Sequence, residues 1–417
     1  MPLDQVSIWI ISFLTIVLML LRPWKISEAF WVCGGAILLI LLRLVPPRIA
    51  SHAVAEGLDV YLFLAGMMVL AQLGQTHGLF DWLAIIAIQH AKASRVRLFA
   101  LIYAVGTVVT IFMSNDATAV VLTPAVLAAV KRAKTEPLPY LFICAFIANA
   151  ASFVLPISNP ANLVVFHSGI LPLAQWLRTF ALASVLSIIA TYAALFWYCR
   201  DALRSETDSN IEDGHLSQAG KLALAGIGVV AIALLTASAL GKDLGLPTCV
   251  ISVLVALAIC ARERRNPVEI IKGVSWSVIP LVGGLFVLVE AINRAGASHL
   301  SGAALHALEA WQPLVAALAA SFGVGIGTNL INNLPLGLIA GTSMHQAHVV
   351  GGLRNAVMIG VDLGPNLSVT GSLATILWLI AIRKEDLNVS AWTFLKAGMV
   401  VMPPALLLAT LAAVAVR

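Results

Sequence analysis

Four polar interruptions inside otherwise apolar stretches constrain this chain more than any other feature. "SNDATAVVLTP" (114–124) breaks the stretch 97–130, and "TNLINNLPLG" (328–337) breaks 311–350. "LPISNPANL" (155–163) breaks 138–169, and "DLGPNLSVTGS" (362–372) breaks 353–382. Predominantly apolar runs surround them at 6–21, 27–44, 60–76, 175–199, 221–240, 246–261, 276–292 and 392–416. Runs near twenty residues are what an α-helix needs to cross a hydrocarbon core about 30 Å thick. Only 11% of the 417 residues are charged while 60% are apolar, against roughly 25% charged in soluble domains. Too little polar surface is left to cover a soluble protein. The chain therefore reads as an all-α polytopic membrane protein.

Several function classes fall away. The net charge of +5 reads as an excess in cytoplasmic loops, not as a nucleic-acid surface. The first run, Val6–Leu21, has no basic segment before it and no small-residue cleavage site after it, so it reads as a first helix and not a signal peptide. Cys33, Cys144, Cys199, Cys249 and Cys260 form no CxxC and no Cys/His metal spacing. HExxH and GxSxG are absent. No catalytic residue, metal or cofactor is expected, and the chain does not read as an enzyme.

The interruptions come in pairs. "LAGMMVLAQLGQTHGL" (64–79) is similar to "LVGGLFVLVEAINRAGA" (281–297), and the same offset places Asn115 on Asn333. "PISNPANLV" (156–164) aligns with "SVTGSLATI" (368–376) at a slightly shorter offset. Two repeats follow: 1–200 and 221–417, joined by a polar cytoplasmic linker, 201–220. Each holds about five transmembrane helices, one re-entrant hairpin (97–130; 311–350) and one helix broken at the midplane (138–169; 353–382). An odd number of spans inverts the second repeat relative to the first. With the N-terminus outside, the clusters Lys92/Arg95/Arg97, Lys131/Arg132/Lys134, Arg262/Arg264 and Arg383/Lys384 all fall inside, as the positive-inside rule expects.

Irregular backbone survives at membrane depth only inside protein or beside water. An Asp at a helix centre costs about 2.5–3.5 kcal/mol on insertion scales. Paired, inverted breaks are how secondary transporters build a binding site at the midplane. The candidate substrate-binding residues are Ser114, Asn115, Asp116, Ser158, Asn159, Asn162, Asn332, Asn333, Thr370, Gly371 and Ser372. Their amides and hydroxyls suit a small polar solute or a cation. Asp116 and Asp362, carboxylates set in the breaks, are the candidate proton-coupling groups.

"SNDATAVVLTPAV", "INNLP" and above all "GVDLGPNLSVTGSLATILWL" (360–379) resemble bacterial arsenite/antimonite efflux permeases, the ArsB family, over nearly the whole chain. The resemblance implies a multi-pass protein of the bacterial inner membrane that exports As(III) and Sb(III) in exchange for protons. Its implied partners are arsenite, antimonite, protons, membrane lipid and, in some members, a soluble arsenical-pump ATPase subunit. The chain departs from some members of that family. It has Asn149 where they carry an acid, Val361 where they carry a cysteine, and Asn366 where they carry a lysine. A sodium/proton antiporter, a sodium-coupled dicarboxylate carrier of the same superfamily, or a permease driven by an ATPase are the alternatives.

Overall fold

In the computed structural model the described residues are 3–166, 169–204, 215–264 and 266–416. Half of the expected linker, 205–214, lies outside them. Among the described residues every regular element is helical. The first part of the chain forms α1 (Leu3–Leu21), α2 (Glu28–Leu41), α3 (Pro47–Glu56), α4 (Leu58–Thr76) and α5 (Leu79–Ala91). It continues with α6 (Arg95–Phe112), α7 (Asn115–Ala117), α8 (Thr123–Arg132), α9 (Leu138–Ala150), α10 (Pro160–Val165) and α11 (Leu173–Cys199). The second part forms α12 (Gln218–Ala239), α13 (Gly245–Glu263), α14 (Pro267–Gly273), α15 (Val278–Arg294) and α16 (Ala297–Glu309). It ends with α17 (Pro313–Ile331), α18 (Asn333–Gln346), α19 (Gly351–Leu363), α20 (Leu373–Arg383) and α21 (Ala391–Ala415).

Eight of these helices are long and apolar enough to cross a membrane. Their outward faces carry large apolar side chains, for example Phe13 on α1, Ile189 on α11, Ile232 on α12 and Leu254 on α13. So much exposed apolar surface is stable facing lipid and would aggregate in water. The spans differ from the apolar runs in two places. The run 27–44 yields a helix of only 14 residues, because the chain turns at Arg43 (φ +58°) and Pro47 starts α3. The run 276–292 becomes α15, which meets the short α14 at a 46° bend.

All four interruptions break helices, and each break ends in a side-chain cap. Ser114 (φ 144°) accepts from Ala117 N–H and starts α7. Asn332 (φ 73°) accepts from Leu334 N–H and starts α18. Asn159 accepts from Ala161 N–H and starts α10. Ser372 accepts from Thr375 N–H and starts α20. Small oxygen-bearing side chains satisfy the orphan amides of a new helix, which is why these residue types stand there. Between α7 and α8 the helix widens over Thr118–Leu122, and Thr110 and Thr118 hydroxyls meet across that turn at 2.8 Å.

The length of α11 orders the ends of the molecule. At its C-terminal end, Arg95 of α6 donates to Ala202 O (3.1 Å) and Tyr140 of α9 donates to Arg95 O (3.4 Å). Lys131 near the end of α8 pairs with Glu385, just past α20 (3.2 Å). Near its N-terminal end a cavity is walled by Gln175 of α11, Pro313 of α17, Gly351 of α19 and Val414 of α21. The bases of the α6–α8 pair and of α17 therefore lie at opposite ends of α11.

Candidate functional site

The breaks meet in the middle. A small internal pocket is lined by Asn115 and Asp116 from α7, Asn159 and Pro160 at the start of α10, Asn333 and Leu334 at the start of α18, and Leu373 and Ala374 at the start of α20. α4 and α15 close it with Leu64, Val278 and Val282. The N-termini of α18 and α20 thus face this pocket with the positive ends of their dipoles. Asp116 also lines a larger cavity of about 90 Å³ that continues past Ser114, Met67, Gln72 and Gln75 to Gly273 and Ser275. Gln75 lies one residue before the end of α4, and His77, which caps that end, stands 3.7 Å from Glu263 of α13. Arg262 and Arg264 share that end of α13. The cavity therefore leads from Asp116 toward the face that carries the basic clusters.

The chemistry of the pocket is set by what its side chains lack. Asn115 and Asn333 are each 2% exposed, and the Oδ1 of each has no hydrogen-bond partner. An orphaned buried carbonyl costs about 1–3 kcal/mol, and both point to a ligand able to donate hydrogen bonds. Asp116 has no hydrogen bond or ion pair among the described residues. No Arg, Lys or Cys lines either cavity. Among the described residues no group of three His, Cys, Asp or Glu could hold a metal.

Asp362 is fully buried one layer behind. Its Oδ1 accepts from Asn159 Nδ2 at 2.8 Å, while its Oδ2 has no partner. Asn159 therefore faces the pocket, caps α10 and holds Asp362 at the same time. The remaining sequence candidates stand outside the pocket wall and shape it. Ser158 donates to Ile111 O (2.9 Å) and accepts from Leu155 N–H (3.2 Å), tying the first broken helix to α6. Asn162 donates to Ser152 O at 2.9 Å. Asn332 donates to Thr370 O (3.2 Å), and Thr370 donates to Asn329 O (2.9 Å). Gly371 sits so close to its neighbours that a Cβ there would lie 2.5 Å from Pro365 Cα. Ser372 forms a capping box with Thr375.

Three groups escaped the sequence reading as site residues. Asn329 is a hub: its amide donates to Gly325 O (2.7 Å) and Gly364 O (2.9 Å) and accepts from Ser368 N–H (3.0 Å) and Oγ (2.7 Å). Asn149 donates to Asn366 Oδ1 at 2.9 Å. Those are two of the departures noted above, and they are partners. Gln72 and Gln75 wall the cavity; two amides inside the apolar run 60–76 were the available signal.

The chain matches the citrate transporter family (CitMHS) over residues 9–360. It is 26% identical to the arsenical pump membrane protein of Escherichia coli (strain K12) over 426 residues, 98% of this chain and 97% of that one. It is 27% identical to an arsenical pump membrane protein of Yersinia enterocolitica, 84% of each chain being covered. Among solved structures, its fold is similar to the Alcanivorax borkumensis YdaH transporter, with a TM-score of 0.57 at 13% identity over 99% of this chain and 98% of that one. It is likewise similar to Neisseria gonorrhoeae MtrF, with a TM-score of 0.54 at 11% identity over 100% and 94%. With helices of spanning length, transporter relatives and a match covering most of its length, the chain belongs to the citrate transporter family as a multi-pass transporter of the bacterial inner membrane.

Proposed function

We propose that the protein exports arsenite and antimonite from the cytoplasm in exchange for protons, by alternating access of the pocket at the four breaks. The observation that carries this is the pair of orphaned carboxamide oxygens, Asn115 and Asn333, beside an unpaired Asp116. Arsenite in neutral water is mainly As(OH)3, an uncharged solute with three hydroxyl donors. Such a solute can satisfy the three acceptors without an arginine clamp. A dicarboxylate would meet the α18 and α20 N-termini favourably, but Asp116 in the same wall opposes it. The arsenical pump relatives support the same substrate class.

The two-repeat reading rests on the placement of the breaks. Ser114 and Asn332 occupy equivalent positions, and Asn159 and Ser372 play equivalent parts as the caps of the helices that follow the breaks. We read α6–α8 and α17–α18 as hairpins entering from opposite faces, with the Asp116 cavity open to the cytoplasm. Asp116 and Asp362 have no cationic side chain beside them, so a proton is the cation each can take up. One neutral solute exchanged for one proton moves one net charge, so the membrane potential contributes about 2.3 kcal/mol per 100 mV, roughly 50-fold in concentration.

Counterflow in liposomes of purified protein tests the substrate without any driving force. Liposomes preloaded with As(III) should accumulate labelled As(III), and those preloaded with citrate should not accumulate labelled citrate. The reverse pattern would make this chain a carboxylate carrier. Exchange by the purified chain alone would show that an ATPase subunit is not obligatory.

A further inference from the structure

On the face away from the Asp116 cavity, two cavities flank one arginine. The smaller, about 230 Å³, is walled by Val165, Phe166, Met344, His345, His348 and Arg354. The larger, about 720 Å³, includes Arg354, Asn355, Gln175, Thr179 and Glu309. Arg354, in the first turns of α19, belongs to both. Its guanidinium lies over the Phe166 ring, 5.5 Å from the centroid. Among the described residues it makes no ion pair and no hydrogen bond, and its Nε is buried without a partner. The neighbouring Asn355 is 7% exposed, and its Oδ1 is also unpartnered. Glu309, the carboxylate in these walls, is engaged by His306 at 3.0 Å.

A half-buried cation without a counter-charge is costly. A guanidinium presents a planar fork of donors that fits the two oxygens of a carboxylate or phosphate. His345 and His348 bring ring nitrogens into the same cavity, and each can donate. We propose that Arg354, with His345 and His348, forms a binding site for a small oxyanion of the phosphate class, either free or as a lipid headgroup. The site is separate from the Asp116 pocket and does not depend on which solute is exported. An anion held there joins the end of α18, which carries His345, to the start of α19, which carries Arg354, across the end of α10 at Phe166.

The test is the thermal unfolding of the full chain in phosphatidylcholine nanodiscs, titrated with inorganic phosphate against chloride at constant ionic strength. A saturable rise of about 2 °C or more, lost in Arg354→Gln, supports a free-anion site. A rise seen only when phosphatidylglycerol replaces part of the phosphatidylcholine, and lost in the same variant, supports a headgroup site. If Arg354→Gln does not fold, the double variant His345→Gln/His348→Gln, altered at exposed positions, must weaken the shift. No shift with either probe, or a shift untouched by the variants, overturns the proposal.

Discussion

Asp116 reaches the pocket without a partner, and Asp362 stands behind it with one. That difference divides the expected effects of neutralising them. Asp116→Asn leaves every described hydrogen bond in place, so its unfolding midpoint should stay near wild type while pH-driven As(III) transport falls at least tenfold. Asn159→Ala removes a helix cap, worth about 1 kcal/mol, and strips Asp362 of the amide donor at 2.8 Å, so it should lose both stability and transport. Asn329→Ala removes the hydrogen bonds that hold Gly364 and Ser368 at the second broken helix and should cost about 2–4 kcal/mol, read as a lowered midpoint in thermal unfolding. Asp116 was legible in the sequence because a carboxylate in an apolar run needs a reason. Asn329 was not, since the partners that make it a hub, Gly364 and Ser368, lie 35 to 39 residues along the chain and no local pattern announces them. Asn149 and Asn366, 217 residues apart, were visible as oddities but not as a pair.

At the scale of elements, α10 and α18 start at the pocket and run side by side to the cavity holding His345 and Arg354. Their contact is glycine-thin: a Cβ on Gly341 would lie 2.4 Å from Val165 O, and one on Gly337 3.1 Å from Val165 Cγ2. We read this contact as the closed outer gate. Gly341→Ala must push α18 away from α10, since backbone cannot yield as a side-chain tip does. A Met344→Cys reporter in the outer cavity wall should then react several-fold faster with a membrane-impermeant maleimide in intact cells. An unchanged rate would place the gate elsewhere. The four breaks were readable because Asn, Ser and Pro interrupt hydrophobic runs there. Helix lengths were less so: hydropathy alone cannot see the positive-φ turn at Arg43 that shortens α2, or the bend between α14 and α15.

At the scale of the whole molecule, the starts of α10 and α20 meet the starts of α7 and α18 around one pocket. This supports alternating access around a fixed midplane pocket. Basic residues cluster at the end of the molecule toward which the Asp116 cavity leads, which supports the proposed opening to the cytoplasm. The number of apolar runs showed a membrane protein at once. The convergence of four distant breaks on one pocket is a tertiary fact that spacing within one sequence only suggests. The central claim is proton-coupled export of a neutral solute. Its most direct test is As(III) uptake into sodium-free, inside-out vesicles containing this chain alone, under an imposed pH gradient, acid inside. The account predicts uptake that collapses with the proton gradient and is absent in Asp116→Asn. Uptake unaffected by the gradient, or none in folded protein under any gradient, would contradict it.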